Sequence, residues 1–435
     1  MNAEYTEIIK YLETKESLPL WEKIYFHFLE EYNFIGAAEC VLAAMKIDNS
    51  SFFQDKSSTL FAATTYFLQK KDGKNALKFI NMISEEYLFI LFYKGLAEYY
   101  NKNYSVARYY FEKYLSKSAN DDVYINEDIY LYLGNCFYFE RNFEEALFFY
   151  SKGLDKKKSF IELIINIAIV YKENNDIDTY NKLMMSVPYE LHSDRIVEDI
   201  IVEKYFDSEN INFKNIPIFI NSRDRVEVLK KIVSWLLEKK YNNIYILDND
   251  SSYLKLKEYY DSLSQNSNVT IFYLRKNMGH MALWRSGILE KLNIKTPYIY
   301  TDPDVIPIEE CPDDFIKKFL EILNNNLLIK KVGFGIKYDD ISFFDKEKII
   351  KLEQSHLDCP LDEEQFFAPI DTTFAVYRNI RYYTFRESIR MGYPYLIKHL
   401  PYYFDYDNLS EDELYYIKNA DNSSSIAKKI KNQDE

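Results

Sequence analysis

Up to about residue 205, apolar and aromatic side chains recur at the three- and four-residue spacing of helix faces, and strand-like alternation is scarce. This pattern predicts an all-α region over 1–188. After Val187-Pro188 the rhythm changes, and the mixed, charged residues 189–214 read as a helical connector. Ile216 to Ile220 is then a short β-rich run, followed by the amphipathic stretch Val226 to Lys239 and a second run from Asn243 to Leu247. A helix-like segment to Ser262 and a third run from Val269 to Leu274 complete the series. Strand and helix alternating at this spacing predict a mostly parallel central sheet with right-handed crossovers. The expected fold class is therefore α plus α/β, with the α/β domain over 215–410 and a tail over 411–435. The Ser-, Asn- and Lys-rich part after Asn419 is expected to be flexible, and Ile426 to Ile430 is too short for a membrane helix.

The helical half repeats itself. Gly95 precedes Ala107 by twelve residues and Gly134 precedes Ala146 by the same twelve, followed four residues on by Phe111 or Tyr150. Small residues let two helices cross closely, and the aromatics fill the groove between hairpins. The stretches from Tyr93 to Phe111 and from Tyr132 to Tyr150 resemble the tetratricopeptide repeat. Weaker copies flank them, Thr64 with Ala76 and Ile80 before, Ala168 with Tyr171 after, and residues 21–45 read as an atypical capping hairpin. Gly134 to Ala168 spans 34 residues and Gly95 to Gly134 spans 39, which predicts an insertion around Asn120 to Asn126. Such stacks usually bind proteins in a groove; a spacer or a dimerisation surface is the equal alternative, so a protein partner and homo-oligomers both stay open.

Composition narrows the classes. A chain of 435 residues exceeds one ordinary core, and its many Tyr and Phe with few Gly and Pro favour helix-rich architecture. A net charge of −14 argues against broad phosphate neutralisation, so no nucleic acid is expected as a partner. Cys40, Cys136, Cys311 and Cys359 lie far apart, suggesting neither a zinc knuckle nor a disulfide framework and fitting a reducing cytoplasm. The first residues do not read as a secretory signal, and no apolar run is long enough for a transmembrane span. The expectation is a cytoplasmic protein, at most peripheral to a membrane.

Candidate chemistry lies at the predicted strand ends, where open α/β sheets bind ligands. These ends carry Asn221 to Arg223, Asp248 to Asp250, Arg275 to Gly279, and Asp302 with Asp304 in Tyr300-Thr-Asp-Pro-Asp304. In an extended chain Asp302 and Asp304 project to one face, and Pro303 restricts the pair. Two such hard donors suit Mg²⁺ or Mn²⁺ bridging a diphosphate. The Asp-x-Asp spacing recurs at Asp176/Asp178, Asp248/Asp250 and Asp405/Asp407, so the surrounding strand ends carry the weight.

As a set, the Asn221-Ser-Arg-Asp-Arg225, Leu247-Asp-Asn-Asp-Ser-Ser252, Arg275-Lys-Asn-Met-Gly-His280 and Tyr300-Thr-Asp-Pro-Asp304 stretches resemble the GT-A glycosyltransferases of the family 2 type. The resemblance covers roughly 215–405. It implies that Asn221, Ser222 and Arg223 line the base and ribose of a UDP- or GDP-linked sugar donor, with Asp248 accepting from base or ribose and Asp250 nearby. Arg275 and Asn277 would reach the diphosphate or ribose, and Gly279 would permit close backbone approach. His280, Trp284 and Arg285 fall on the following helix, Arg285 equally readable as an ion-pair partner. Asp302 and Asp304 would contact ribose and metal, and His399 would complete the metal shell, with His356 its competitor. Asp371 is the candidate base, at an expected strand start; Glu364 and Glu363 are alternatives, since the family's Glu-Asp doublet is missing. Thr372, Thr373 and Arg378 read equally as helpers or as core. Gly333 and Gly335 would leave room for an acceptor or accommodate sheet curvature.

The activity this implies is metal-dependent, inverting transfer of a sugar to a hydroxyl of a saccharide, glycolipid or protein. A repeat scaffold with a degenerate transferase domain is the alternative. A nucleotidyltransferase is a third reading, weakened because no Gly-rich, basic loop follows the first strand, and the missing Gly-x-Gly-x-x-Gly disfavours a dinucleotide-dependent oxidoreductase.

Overall fold

The structure is a computed structural model and describes residues 11–48, 56–119, 122–157, 160–200 and 212–420. The predicted flexible tail, much of the connector and part of the expected insertion lie outside the described residues. The chain divides into two compact units, residues 1–203 with 381–383 and residues 204–380 with 384–435.

The first unit is a helical repeat of tetratricopeptide-like hairpins. Its helices are α1 (Leu18–Glu30), α2 (Phe34–Ile47), α3 (Ser57–Gln69), α4 (Gly73–Ile80) and α5 (Leu88–Tyr100). They continue with α6 (Tyr104–Ser118), α7 (Ile129–Phe139), α8 (Phe143–Lys156), α9 (Ile161–Glu173) and α10 (Ile177–Met184). One local device makes every hairpin turn. Tyr32, Lys71, Lys102, Arg141 and Asn175 take left-handed backbone angles, with φ between 53° and 64°. The next residue, Asn33, Asp72, Asn103, Asn142 or Asp176, donates its N–H five residues back, closing a Schellman motif that satisfies the helix's last carbonyls. Four of these residues then cap the following helix: Asn33, Asp72, Asn142 and Asp176 accept from the N–H three residues ahead. Such a cap contributes about 1 kcal/mol.

The small residues sit where the helices cross most tightly. A Cβ on Gly95 would lie 2.5 Å from the Phe111 ring, and one on Gly134 only 2.1 Å from the Tyr150 ring. Between α6 and α7, the Tyr114 hydroxyl donates to the Tyr124 carbonyl at 2.6 Å and accepts from the Asn126 N–H, which closes the longer connection.

The second unit is an α/β sheet domain with, among the described residues, nine strands: β1 (Ile218–Ser222), β2 (Ile244–Asp248), β3 (Val269–Tyr273), β4 (Tyr298–Thr301), β5 (Val305–Pro307), β6 (Lys331–Ile336), β7 (Gln365–Phe367), β8 (Ala375–Tyr377) and β9 (Ser388–His399). The order is β3-β2-β1-β4-β8-β6-β9-β5, with β7 also on β9. The first four strands are parallel, as the alternation predicts. The expected mostly parallel sheet is corrected beyond them: β4–β8, β6–β8, β5–β9 and β7–β9 are antiparallel, and the sheet is mixed. Gly333 and Gly335 serve the sheet rather than an acceptor, because a Cβ would meet Ala375 at 2.7 Å or the Met391 carbonyl at 2.4 Å. The main helices are α11 (Val226–Glu238), α12 (Leu254–Leu263), α13 (Ala282–Arg285), α14 (Ile288–Lys291), α15 (Phe315–Asn325), α16 (Lys346–Ser355) and α17 (Glu411–Asn419).

Gly134→Ala is expected to destabilise the helical unit by about 1–3 kcal/mol through overpacking against buried Tyr150. Chemical denaturation checks this, and a loss under about 0.5 kcal/mol would show that the crossing has slack.

Candidate functional site

Parallel pairing ends the first strands level with one another: Ser222 lies beside Asp248, and Asp248 beside Tyr273. Their carboxyl ends border a cleft of about 470 Å³. Asn221, Arg223, Asn277, Gly279, Asp302, Asp304, Asp371 and His399 all line it, together with His280 and His356. Ser222, Asp248, Asp250, Arg275 and Glu364 are not among its lining residues.

These departures have local causes. Asp248 is turned into its own loop, accepting from the Ser251 N–H and the Tyr260 hydroxyl, each at 3.3 Å. Burial pushes its carboxyl up. Asp250 takes a left-handed φ of 67° and stands exposed at the turn, and Arg275 is likewise left-handed and exposed. Ser222 is fully buried. Glu364 pairs with Lys318 at 3.0 Å. His280 falls in the short turn before α13, and Trp284 is a core residue whose indole donates to the Tyr298 hydroxyl.

Asn249, between Asp248 and Asp250, lines the cleft in their place. Its Nδ2 donates to the Gly279 carbonyl at 3.0 Å, its Oδ1 accepts from the Met278 N–H at 2.7 Å, and Asn221 Nδ2 adds a second bond to Gly279. Two strand-end amides thus hold the loop after β3 against the cleft. A signal was present, since Asn249 lies between the two aspartates singled out. Asp224 ties the first two strand ends together, its Oδ1 accepting from the Ser252 and Tyr253 N–H groups.

Asp302 and Asp304 differ sharply despite their spacing. Asp304 Oδ2 accepts from Arg225 Nη1 at 2.5 Å and lies 3.5 Å from His399 Nε2. Burial opposes the charge, but the His399 ring and the Arg225 guanidinium hold the Asp304 carboxyl well below the usual carboxylate range. The antiparallel pairing of β5 with β9 puts Val305 opposite His399, which is why a residue so distant in sequence arrives here. Asp302 feels the Arg225 charge less than its own burial and the neighbouring carboxylates. Its Oδ2 accepts from the Thr372 hydroxyl at 2.5 Å, and burial, then the charges of Asp304 and Asp371, push its carboxyl well up.

Arg225 was given no role by the sequence reading and proves central. It is buried, and its Nε donates to Glu413 Oε1 at 2.7 Å while its guanidinium lies 4.8 Å from the Tyr416 ring. Burial works against its charge, and the carboxylates of Asp304 and Glu413 more than offset this. Asp371 is exposed in the loop before β8 rather than at a strand start, and its carbonyl accepts from buried Lys331 at 3.1 Å. Burial brings the Lys331 ammonium down to about 7. His356 lines the cleft with a ring brought down to about 3 by burial and then by Arg390 and Arg386, and buried Arg390 pairs with Glu353.

Among the described residues no three His, Cys, Asp or Glu groups are arranged as a ready metal cluster. Asp304 Oδ1, His399 Nδ1 and Asn221 Oδ1 are, however, buried without a protein hydrogen-bond partner. A buried acceptor left so is costly, and a bound cation or donor group would satisfy it.

No protein-family model matches the chain, and no curated protein matches it. Among solved structures it is similar to MamA 41-end from Desulfovibrio magneticus RS-1, at 14% identity over 40% of this chain and 93% of that one, with a TM-score of 0.31. It is similar to pilF of Pseudomonas aeruginosa at 15% identity, over 39% and 74%, with a TM-score of 0.28. A mutant Thermobaculum terrenum O-GlcNAc transferase is similar at 13% identity over 55% and 45%, with a TM-score of 0.26. Likenesses this loose carry no function across, and no helix among the described residues is long and apolar enough to cross a membrane.

An unfolded aspartate titrates near 3.9, whereas Asp302 is raised in the fold. Between the two values the folded state holds more protons, so stability falls as pH rises through that interval. Asp302→Asn removes this loss and keeps an oxygen for the Thr372 hydroxyl. Its thermal midpoint should exceed that of the wild type at neutral pH, with the difference vanishing below about pH 4. A less stable variant at neutral pH would contradict the assignment.

Proposed function

We propose that the α/β unit is a glycosyltransferase of GT-A type, resembling family 2, that moves a sugar from a UDP- or GDP-linked donor to an acceptor hydroxyl. One observation carries this reading: the Asp302/Asp304 pair, the unpartnered Asp304 Oδ1 and the amides of Asn221 and Asn249 converge on one cleft at the ends of parallel strands. Asn221 and Arg223 would hold the nucleotide, with Asn277 and Gly279 toward ribose and diphosphate. Asp304, Asp302 and His399 would hold Mn²⁺ or Mg²⁺, which supplies charge neutralisation for the departing nucleoside diphosphate. Such an ion needs only one or two carboxylates when phosphates and water complete its shell, which fits the lack of a ready cluster. Asp371, exposed beside Asp302, would accept the proton as the acceptor oxygen bonds to the anomeric carbon and the bond to the diphosphate oxygen breaks.

A scaffold role with a degenerate transferase unit is the second reading, favoured by the hold of Arg225 on Asp304 and by the repeat architecture. Nucleoside diphosphate release from a panel of UDP- and GDP-sugars with Mn²⁺ separates the two. Turnover should appear with one donor class and fall on the order of 10²-fold in Asp304→Asn. Asp371→Asn should lose turnover while still binding the nucleoside diphosphate. No release and no binding with any donor would leave the scaffold reading standing.

A further inference from the structure

The loop that carries Asp371 holds its shape through donors from outside it. Residues 368–374 run from β7 to β8 in neither helix nor strand, so their carbonyls have no ladder of their own. Five in succession are nevertheless taken. Ser388 Oγ donates to the Ala368 carbonyl at 2.7 Å, Arg390 Nη1 to that of Pro369 at 3.4 Å, and the Asp302 N–H to that of Thr372 at 3.1 Å. The two between them, on Ile370 and Asp371, both accept from Lys331 Nζ, the second at 3.1 Å.

Lys331 is fully buried on β6. Burying an ammonium is costly, and an apolar chain of the same length would fill the space without that cost. What the ammonium adds is several donors at one point, received by two neighbouring carbonyls and, at 3.2 Å, by the Tyr377 hydroxyl. The Tyr377 ring lies 5.0 Å from the same Nζ and stacks on Tyr298, which fixes the anchor in turn. The Thr372 hydroxyl donates to Asp302 Oδ2 at 2.5 Å. The main chain at 370–372 is therefore pinned by the sheet and by Asp302, while the Asp371 side chain is left exposed at the cleft.

We infer that Lys331 is a positioning residue for the proposed transfer: by holding the Ile370 and Asp371 carbonyls it fixes the Asp371 carboxylate where an acceptor hydroxyl meets the donor. The role rests on the glycosyltransferase reading and on Asp371 as its base. Lys331 is not among the residues lining the cleft, so it acts on the chemistry through the loop. A misplacement of about 1 Å at a reacting group can cost on the order of 10²-fold in rate. Lys331→Met keeps the chain length and removes the donors. With the UDP- or GDP-sugar that the wild type turns over, kcat should fall by about tenfold or more while the donor KM stays within about twofold. Mn²⁺ with UDP or GDP, titrated calorimetrically, should bind as in the wild type, and hydrogen exchange of residues 368–373 should quicken while that of β1 to β3 holds. Loss of kcat, KM and diphosphate affinity together would overturn the role, because it marks a general loss of structure. Tyr377→Phe keeps the ring and removes only an acceptor of Nζ, which covers a first variant that does not fold. A kcat lower by about threefold at unchanged KM then supports the role, and wild-type kinetics overturn it. Wild-type turnover that Lys331→Met leaves intact overturns this inference alone; a wild type silent with every donor overturns the transferase reading and this role with it.

Discussion

The α/β unit depends on keeping one buried carboxylate charged. Asp304 is buried at the edge of the cleft, and the facing Arg225 and His399 favour its ionised form. Arg225 in turn is buried only because Glu413 takes its other edge. Breaking such a pair costs about 3–5 kcal/mol, since the surviving charge has no water to return to. The consequence reaches the end of the described chain: Glu413 anchors α17, and α17 brings Tyr416 against Arg225 as a wall of the cleft. Asp302 carries the cost of the arrangement, placed beside that carboxylate with the Thr372 hydroxyl as its hydrogen-bond partner.

The helical unit also buries charge, Lys94 pairing with Glu85 and Glu127 with Lys157. At its centre, buried amides and hydroxyls satisfy one another and a segment of backbone with no counter-ion. The two units thus bury polarity for different ends. At the cleft, Asp304 Oδ1 and Asn221 Oδ1 are unpartnered acceptors; at the centre of the helical unit, the Asn135 and Asn166 amides are spent on backbone and on each other.

Much of this was legible in the sequence wherever a period governs structure. The hairpins followed from Gly95 and Gly134 with their aromatics, and the parallel half of the sheet from alternating strand and helix. The mixed half was not, because β7, β8 and β9 are linked by loops whose lengths carry no periodic signal. At the site, the strand ends were found but not which residue faces the cleft: Asp248 turns into its loop and Asn249 faces out, a choice made by turn geometry with Asp250 left-handed. Arg225 was visible as a basic residue after a strand, yet its meaning depends on Glu413, 188 residues away. Asn135 and Asn166 left a faint trace as lone amides in apolar helices, Asn166 between Ile165 and Ile167.

The proposed transfer requires that the Asp302/Asp304 pair hold a cation shared with a diphosphate. Manganese titration followed by electron paramagnetic resonance, with and without UDP or GDP, tests this most directly. One nucleoside diphosphate should tighten Mn²⁺ binding about tenfold or more in the wild type and not in Asp304→Asn. Binding that ignores both nucleotides, or that survives unchanged in the variant, would contradict it.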